Sequence, residues 1–140
     1  MLRCGREGGA IVTARQDLEQ LVVRFTEAFN RDDLEEVLAL MSPDAIYDEF
    51  DGRRRVGKRA IREAFEPQFR GDFGRIRFDI EDLLVDDPAR QALVRWRCTI
   101  EKSGRRRSWR GLDVLRVRDG LVTEKHTYAK AERLRLEEMG

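Results

Sequence analysis

The sequence predicts an α+β domain in which helices come first and an antiparallel β-meander follows. Three observations carry that prediction. Apolar residues recur at helical spacing through the first third of the chain. From about Arg75 the pattern changes to strict alternation. The turn dipeptides Ser103-Gly104 and Asp119-Gly120 then separate the alternating runs. A meander of this kind has one apolar face, which the helices must cover.

The elements follow in order. Thr13 and Gln16 form a capping-box pair, each side chain satisfying a backbone N–H of the other. Leu18, Leu21, Val22, Phe25 and Phe29 then share one face, which predicts a helix from about Ala14 to Asn30. RDDLEEVLALMSP reads as a short second helix with Asp32 or Asp33 as N-cap. Leu34, Val37, Leu38 and Met41 lie on its face, and Ser42-Pro43 ends it. DAIYDEFDG is a brief strand running into a turn at Asp51-Gly52. A short strand around Val56 precedes a helix from about Lys58, with Ile61, Ala64, Phe65 and Phe69 as its stripe and Pro67 ending or kinking it. Ile76, Phe78 and Ile80 alternate against charged neighbours, as do Ala92, Val94, Trp96, Cys98 and Ile100 after the turn DDPAR.

Composition narrows the function. The 140 residues fit one domain, expected over 13–133, with a disordered leader at 1–12 and a charged tail at 134–140. The natural start is expected near Val12 or Thr13. With 28 basic and 27 acidic residues no global field recruits nucleic acid, and the basic runs GRRRVGKR and RRRSWR read as solvated turns. Two cysteines and one histidine form no metal-ligating cluster. No apolar run reaches membrane-spanning length, and no signal peptide is seen, so the expected compartment is the cytoplasm.

Asp113 raises the central question, because it shares an alternating strand face with Trp109, Leu115 and Val117. A buried carboxylate must be paired, hydrogen-bonded or neutralised. If both turns are two-residue turns, Cys98 faces Trp109, Trp96 faces Gly111, Val94 faces Asp113, and Asp113 faces His126. The three strands then share one apolar face, into which Asp113, Glu124, His126 and Tyr128 are set. An Asp113–His126 pair suits general acid–base work; it equally suits a structural ion pair. The opposite face carries Arg95, Arg97, Arg110, Arg116, Arg118 and Lys125 beside Leu93, Leu112 and Val114.

RDDLEEVLALMSPDAIYDEFDG, GKRAIREAF and WRGLDVLRVRDGLVTEKHTY together resemble the SnoaL-like branch of the NTF2-like superfamily, over about residues 14–132. That group includes ketosteroid isomerases, polyketide cyclases and limonene-epoxide hydrolases. The resemblance implies a cone-shaped, curved antiparallel or mixed sheet wrapped around N-terminal helices, a cystatin-like roll with a deep apolar pocket, and a homodimer. Matched to the isomerases, the general base falls on Glu49, with Asp48 as neighbour. The oxyanion acid falls on Asp113, as a neutral acid in an apolar site. Phe25 stands where the isomerases have a tyrosine and has no donor. The cyclases imply an acid–base pair, which Asp113 and His126 would supply. The Asp-Arg-Asp set of the epoxide hydrolases is not found.

The expected function is therefore a small-molecule pocket protein. In its enzymatic form it is an isomerase or cyclase needing no cofactor and no metal, acting by acid–base chemistry on an apolar carbonyl substrate. The alternative is a non-catalytic ligand-binding or protein-interaction module. The expected catalytic residues are Asp48, Glu49, Asp113 and His126, with Phe25, Trp96, Trp109, Glu124 and Tyr128 contacting a small apolar molecule. No nucleic acid or membrane partner is expected.

Overall fold

The computed structural model describes residues 13–130, 132–133 and 136–139. The expected leader at 1–12, with Cys4, lies outside the described residues. Helix α1 spans Ala14–Asn30, and its N-terminus carries the complete Thr13/Gln16 capping box. Helix α2 spans Leu34–Ala39 with Asp33 as N-cap, its side chain accepting from the Glu36 N–H. Strand β1 (Met41–Asp48), strand β2 (Arg54–Val56) and helix α3 (Lys58–Phe69) follow. The meander is β3 (Arg75–Asp86), β4 (Gln91–Lys102), β5 (Arg105–Arg118) and β6 (Leu121–Ala129).

The six strands form one mixed sheet in the order β2-β1-β6-β5-β4-β3. Only β1 and β6 pair in parallel. The helices cover one face, where Val22, Phe25, Phe29, Phe65, Trp96 and Leu115 belong to a single buried core. Phe29 is its hub. Its ring lies 5.3 Å from Phe25, 5.2 Å from Phe65 and 5.9 Å from Phe78, all near edge-to-face, the arrangement that ring quadrupoles favour.

Three expectations are corrected here. The second helix stops at Ala39; Met41 pairs with Val122, so Met41, Ser42 and Pro43 belong to β1. Pro43 is tolerated in an interior strand because the β1–β6 register shifts between Met41 and Ile46, where the ladder skips. Pro67 does not end α3, which runs two residues beyond it to Phe69.

The third correction decides the site. Ser103-Gly104 sets the β4–β5 register as expected, with Cys98 opposite Trp109, Trp96 opposite Gly111 and Val94 opposite Asp113. Asp119-Gly120 also begins as expected, with Val117 opposite Val122. The next pair, however, is Arg116 with Glu124, so Thr123 is an extra, bulged residue. Its hydroxyl donates to the Arg116 carbonyl across the bulge, at 3.2 Å. Beyond it every β6 side chain changes face. Asp113 therefore faces Thr127, not His126, and Lys125 lies on the buried face. Glu124, His126 and Tyr128 go to the outer face, with Tyr128 largely exposed.

Gly111 permits a close approach within β5. A Cβ there would stand 2.5 Å from Trp96 Cη2 and 2.4 Å from the Tyr128 carbonyl oxygen. Gly111→Ala is expected to displace the Trp96 indole and destabilise the fold by about 1–3 kcal/mol, the usual cost of overpacking. Denaturant unfolding followed by Trp fluorescence checks this; an unchanged midpoint would contradict it.

Candidate functional site

The helices and the buried sheet face enclose a cavity of about 330 Å³. Its wall is largely aromatic: Phe29, Tyr47, Phe65, Phe78, Trp96 and Trp109 all border it. The parity of β4 and β5 puts Trp96, Cys98, Trp109 and Gly111 on this face. α1 and α3 supply the phenylalanines opposite.

At the inner end of the cavity lies Lys125, 6% exposed. Its Nζ donates to Asp113 Oδ1 at 2.9 Å and to Thr127 Oγ1 at 2.8 Å. The ammonium stands 4.8 Å from the centre of the Tyr47 ring and 5.7 Å from that of Phe29, within cation–π range. Burial pulls the Lys125 pKa down. The charge of Asp113, then that of Tyr47, then the Asp113 hydrogen bond, together with Glu49, outweigh that pull, and the net direction is upward. Lys125 is thus a cation at neutral pH. It has three N–H donors, and two have acceptors among the described residues.

Asp113, 7% exposed, accepts from three donors: Lys125, the Trp96 indole N–H at 3.0 Å and the Thr127 hydroxyl at 2.5 Å. In all three contacts the Asp113 carboxyl oxygens are the acceptors. The carboxylate and Lys125 also border a space of about 20 Å³ beside Phe25 and Thr26, large enough for one water. Phe25 lies at that smaller space and does not border the large cavity.

The other expected residues stand elsewhere. His126 Nδ1 lies 2.6 Å from Asp48 Oδ2 and its Nε2 lies 2.7 Å from Glu124 Oε1, all on the outer face. The Arg54 guanidinium, 2.7 Å from Asp48, holds that carboxyl below its usual pKa, with His126 adding to the effect. Glu49 is held by Arg55 at 2.7 Å and borders a polar cavity that adjoins the aromatic one at Phe50 and Thr127. Its charge is among the lesser contributions that raise the pKa values of Lys125 and Tyr47. Burial pushes the Tyr47 phenol up and the Cys98 thiol up to about 12, so neither is a ready nucleophile at neutral pH.

The SnoaL-like domain model matches residues 22–125. The chain belongs to the SnoaL-like domain family. Among solved structures, a candidate polyketide cyclase from Xanthomonas campestris pv. campestris is 25% identical with a TM-score of 0.72, over 83% of this chain and 92% of that one. An NTF2-like protein of unknown function from Mesorhizobium loti is 23% identical with a TM-score of 0.70, over 86% and 97% of the two chains. PrhC from Penicillium brasilianum is 24% identical with a TM-score of 0.74, over 84% and 83%. The last two likenesses show the fold alone. No curated protein matches the chain. Among the described residues no helix is long and apolar enough to cross a membrane, and no cluster of metal-ligating side chains is present.

In this SnoaL-like domain the Lys125–Asp113 pair is the element sequence reasoning missed. No Gly or Pro in the sequence marks the bulge at Thr123 that puts Lys125, Thr127 and Ala129 on the same face as Val122. Asp113→Asn is expected to cost about 3–5 kcal/mol, because it leaves a buried ammonium without its counter-charge. The pH dependence follows the upward shift of Lys125. The stabilisation is complete below the unfolded lysine value of about 10.4 and is lost as pH rises through the higher folded value. Urea unfolding across alkaline pH checks both: Asp113→Asn and Lys125→Met should each abolish that alkaline loss.

Proposed function

We propose that this SnoaL-like domain binds a planar, apolar carbonyl compound in the large cavity and promotes its enolisation, the step common to isomerisation and aldol-type cyclisation. One observation carries the reading: a buried ammonium at the end of an aromatic-walled cavity, with one N–H lacking an acceptor among the described residues. Such a donor stabilises charge developing on a carbonyl oxygen, and does so best where water is excluded. Asp113 and Thr127 hold Lys125 in place. In this reading Glu49 takes the substrate proton, which requires it to exchange its Arg55 contact for the substrate. No metal or organic cofactor is invoked. The likeness to a candidate polyketide cyclase supports this class of substrate.

A second reading is a non-catalytic ligand carrier, favoured by the Arg55 clamp on Glu49 and by Phe25, which offers no second donor to an oxyanion. The two are separated by NMR of 2-tetralone in D2O. The enzyme reading expects α-proton exchange well above buffer, cut by about 10²-fold or more in Lys125→Met, the scale of losing one oxyanion donor, and similarly reduced in Glu49→Gln. Saturable binding without exchange supports the carrier, and absence of binding sinks both.

The same reading assigns a homodimer contact to the outer sheet face, where exposed Leu84 lies with Leu93 and Val114 around a shallow apolar depression. Sedimentation should show a dimer that Leu84→Glu converts to monomer.

A further inference from the structure

The chemistry of the cavity mouth is unused by the reading above. Lys102, Arg107 and Lys125 line the large cavity, and no aspartate or glutamate does. Lys125 is balanced by Asp113 behind it. At the mouth, Lys102 lies within electrostatic reach of the Asp72 carboxylate, whose pKa it helps to lower, and Arg107 is the cation left unpaired among the described residues. Lys102 Nζ is fixed at 2.7 Å from a backbone carbonyl, that of Asp72, and both Lys102 and Arg107 are exposed. The arginines flanking Arg107 on the opposite face are paired, Arg106 with Glu101 and Arg110 with Glu81. Arg107 has no ion-pair partner among the described residues.

Strand geometry arranges these groups along one line. Arg107, Trp109, Gly111 and Asp113 alternate on the inner face of β5, and Arg107 pairs with Ile100 of β4. Arg107 and Asp113 are six positions apart, so their Cα atoms are about 20 Å apart. The face thus runs from cations at the open end, across Trp109 and Trp96, to Lys125 at the closed end. Phe50 and Phe73, both more than half exposed, border the same mouth. An apolar body fits the middle, and the mouth supplies donors suited to a carboxylate.

We propose that the cavity takes an apolar acid, its carboxylate held at the mouth by Arg107 and Lys102 and its ring system directed inward toward Lys125. The inference rests on the cavity being a ligand site and adds the charge and orientation of the ligand. The acid group and the reacting carbonyl then occupy opposite ends, so the charge serves binding and orientation and leaves the Lys125 donor to the carbonyl oxygen.

The test is calorimetric titration with anthracene-2-carboxylate and the matching neutral anthracene-2-carboxamide, at low salt and at 0.5 M NaCl. The acid should bind about tenfold or more tighter than the amide at low salt, with the preference shrinking in high salt because exposed charge pairs are screened. In an Arg107→Gln/Lys102→Gln variant the acid-to-amide ratio should fall near one, whereas Lys125→Met should keep the preference. Equal binding of acid and amide by the wild type overturns the proposal while leaving the ligand site intact. A preference lost in Lys125→Met and kept in the double variant also overturns it, by placing the carboxylate at the wrong end. If neither compound binds, the cavity reading falls with it.

Discussion

The contact between Lys125 and Asp113 is the constraint to which the site answers. Each charge alone would be costly in an interior walled by aromatic rings. Together, with the Trp96 indole and the Thr127 hydroxyl filling the remaining positions around the carboxylate, they form a satisfied cluster. The cluster ties together three strands: Trp96 on β4, Asp113 on β5, and Lys125 and Thr127 on β6. Gly111 belongs to the same arrangement, since the Trp96 ring occupies the space a side chain there would need. Networks of this kind rigidify when complete and fail together when one member is lost.

The same cluster explains how one cavity can be both apolar and polarising. The aromatic faces around the ammonium lower its exposure to water without taking a proton from it. Asp113 keeps it charged. What remains is a fixed positive end to an otherwise oily volume. The outer network of Asp48, His126, Glu124 and Arg54 has the opposite character. It is a wetter set of ion pairs that joins β1, β2 and β6 from behind, and Asp48, Arg54 and His126 border the same polar cavity as Glu49 rather than the aromatic one.

Much of this was legible in the sequence, and the boundary is a physical one. Helix α1 was marked by a local capping pair, and the β4–β5 register by a two-residue turn with positive-φ residues at Ser103 and Gly104. Both signals act within a few residues. The basic runs also resolve locally: Arg53, Arg54 and Arg55 each find a nearby carboxylate, while Arg105 to Arg110 divide between two faces by strand parity. The bulge at Thr123 left no such mark, since neither Gly nor Pro flags it. One unpaired residue there exchanged His126 for Lys125 as the neighbour of Asp113, moved Glu124 and Tyr128 outside, and turned an expected acid–base dyad into a buried ion pair. Asp113 was found because its own strand had no irregularity between the turn and itself.

The parallel pairing of β1 with β6 has a consequence for how the chain is made. β1 lies between β2 and β6, so the ladder on its far side is missing until the last strand exists. On the ribosome, α1, α2, β1, β2 and α3 emerge first, before the sheet against which Tyr47 and Phe65 pack in the complete fold. The meander can form by local hairpins, yet closure awaits Val122 N–H reaching the Leu40 carbonyl at 2.8 Å. Contacts this distant in sequence slow folding. Acquisition of the cavity therefore waits for β6, and a chain cut short of β6 lacks the ammonium end of the pocket as well as the strand that seals it.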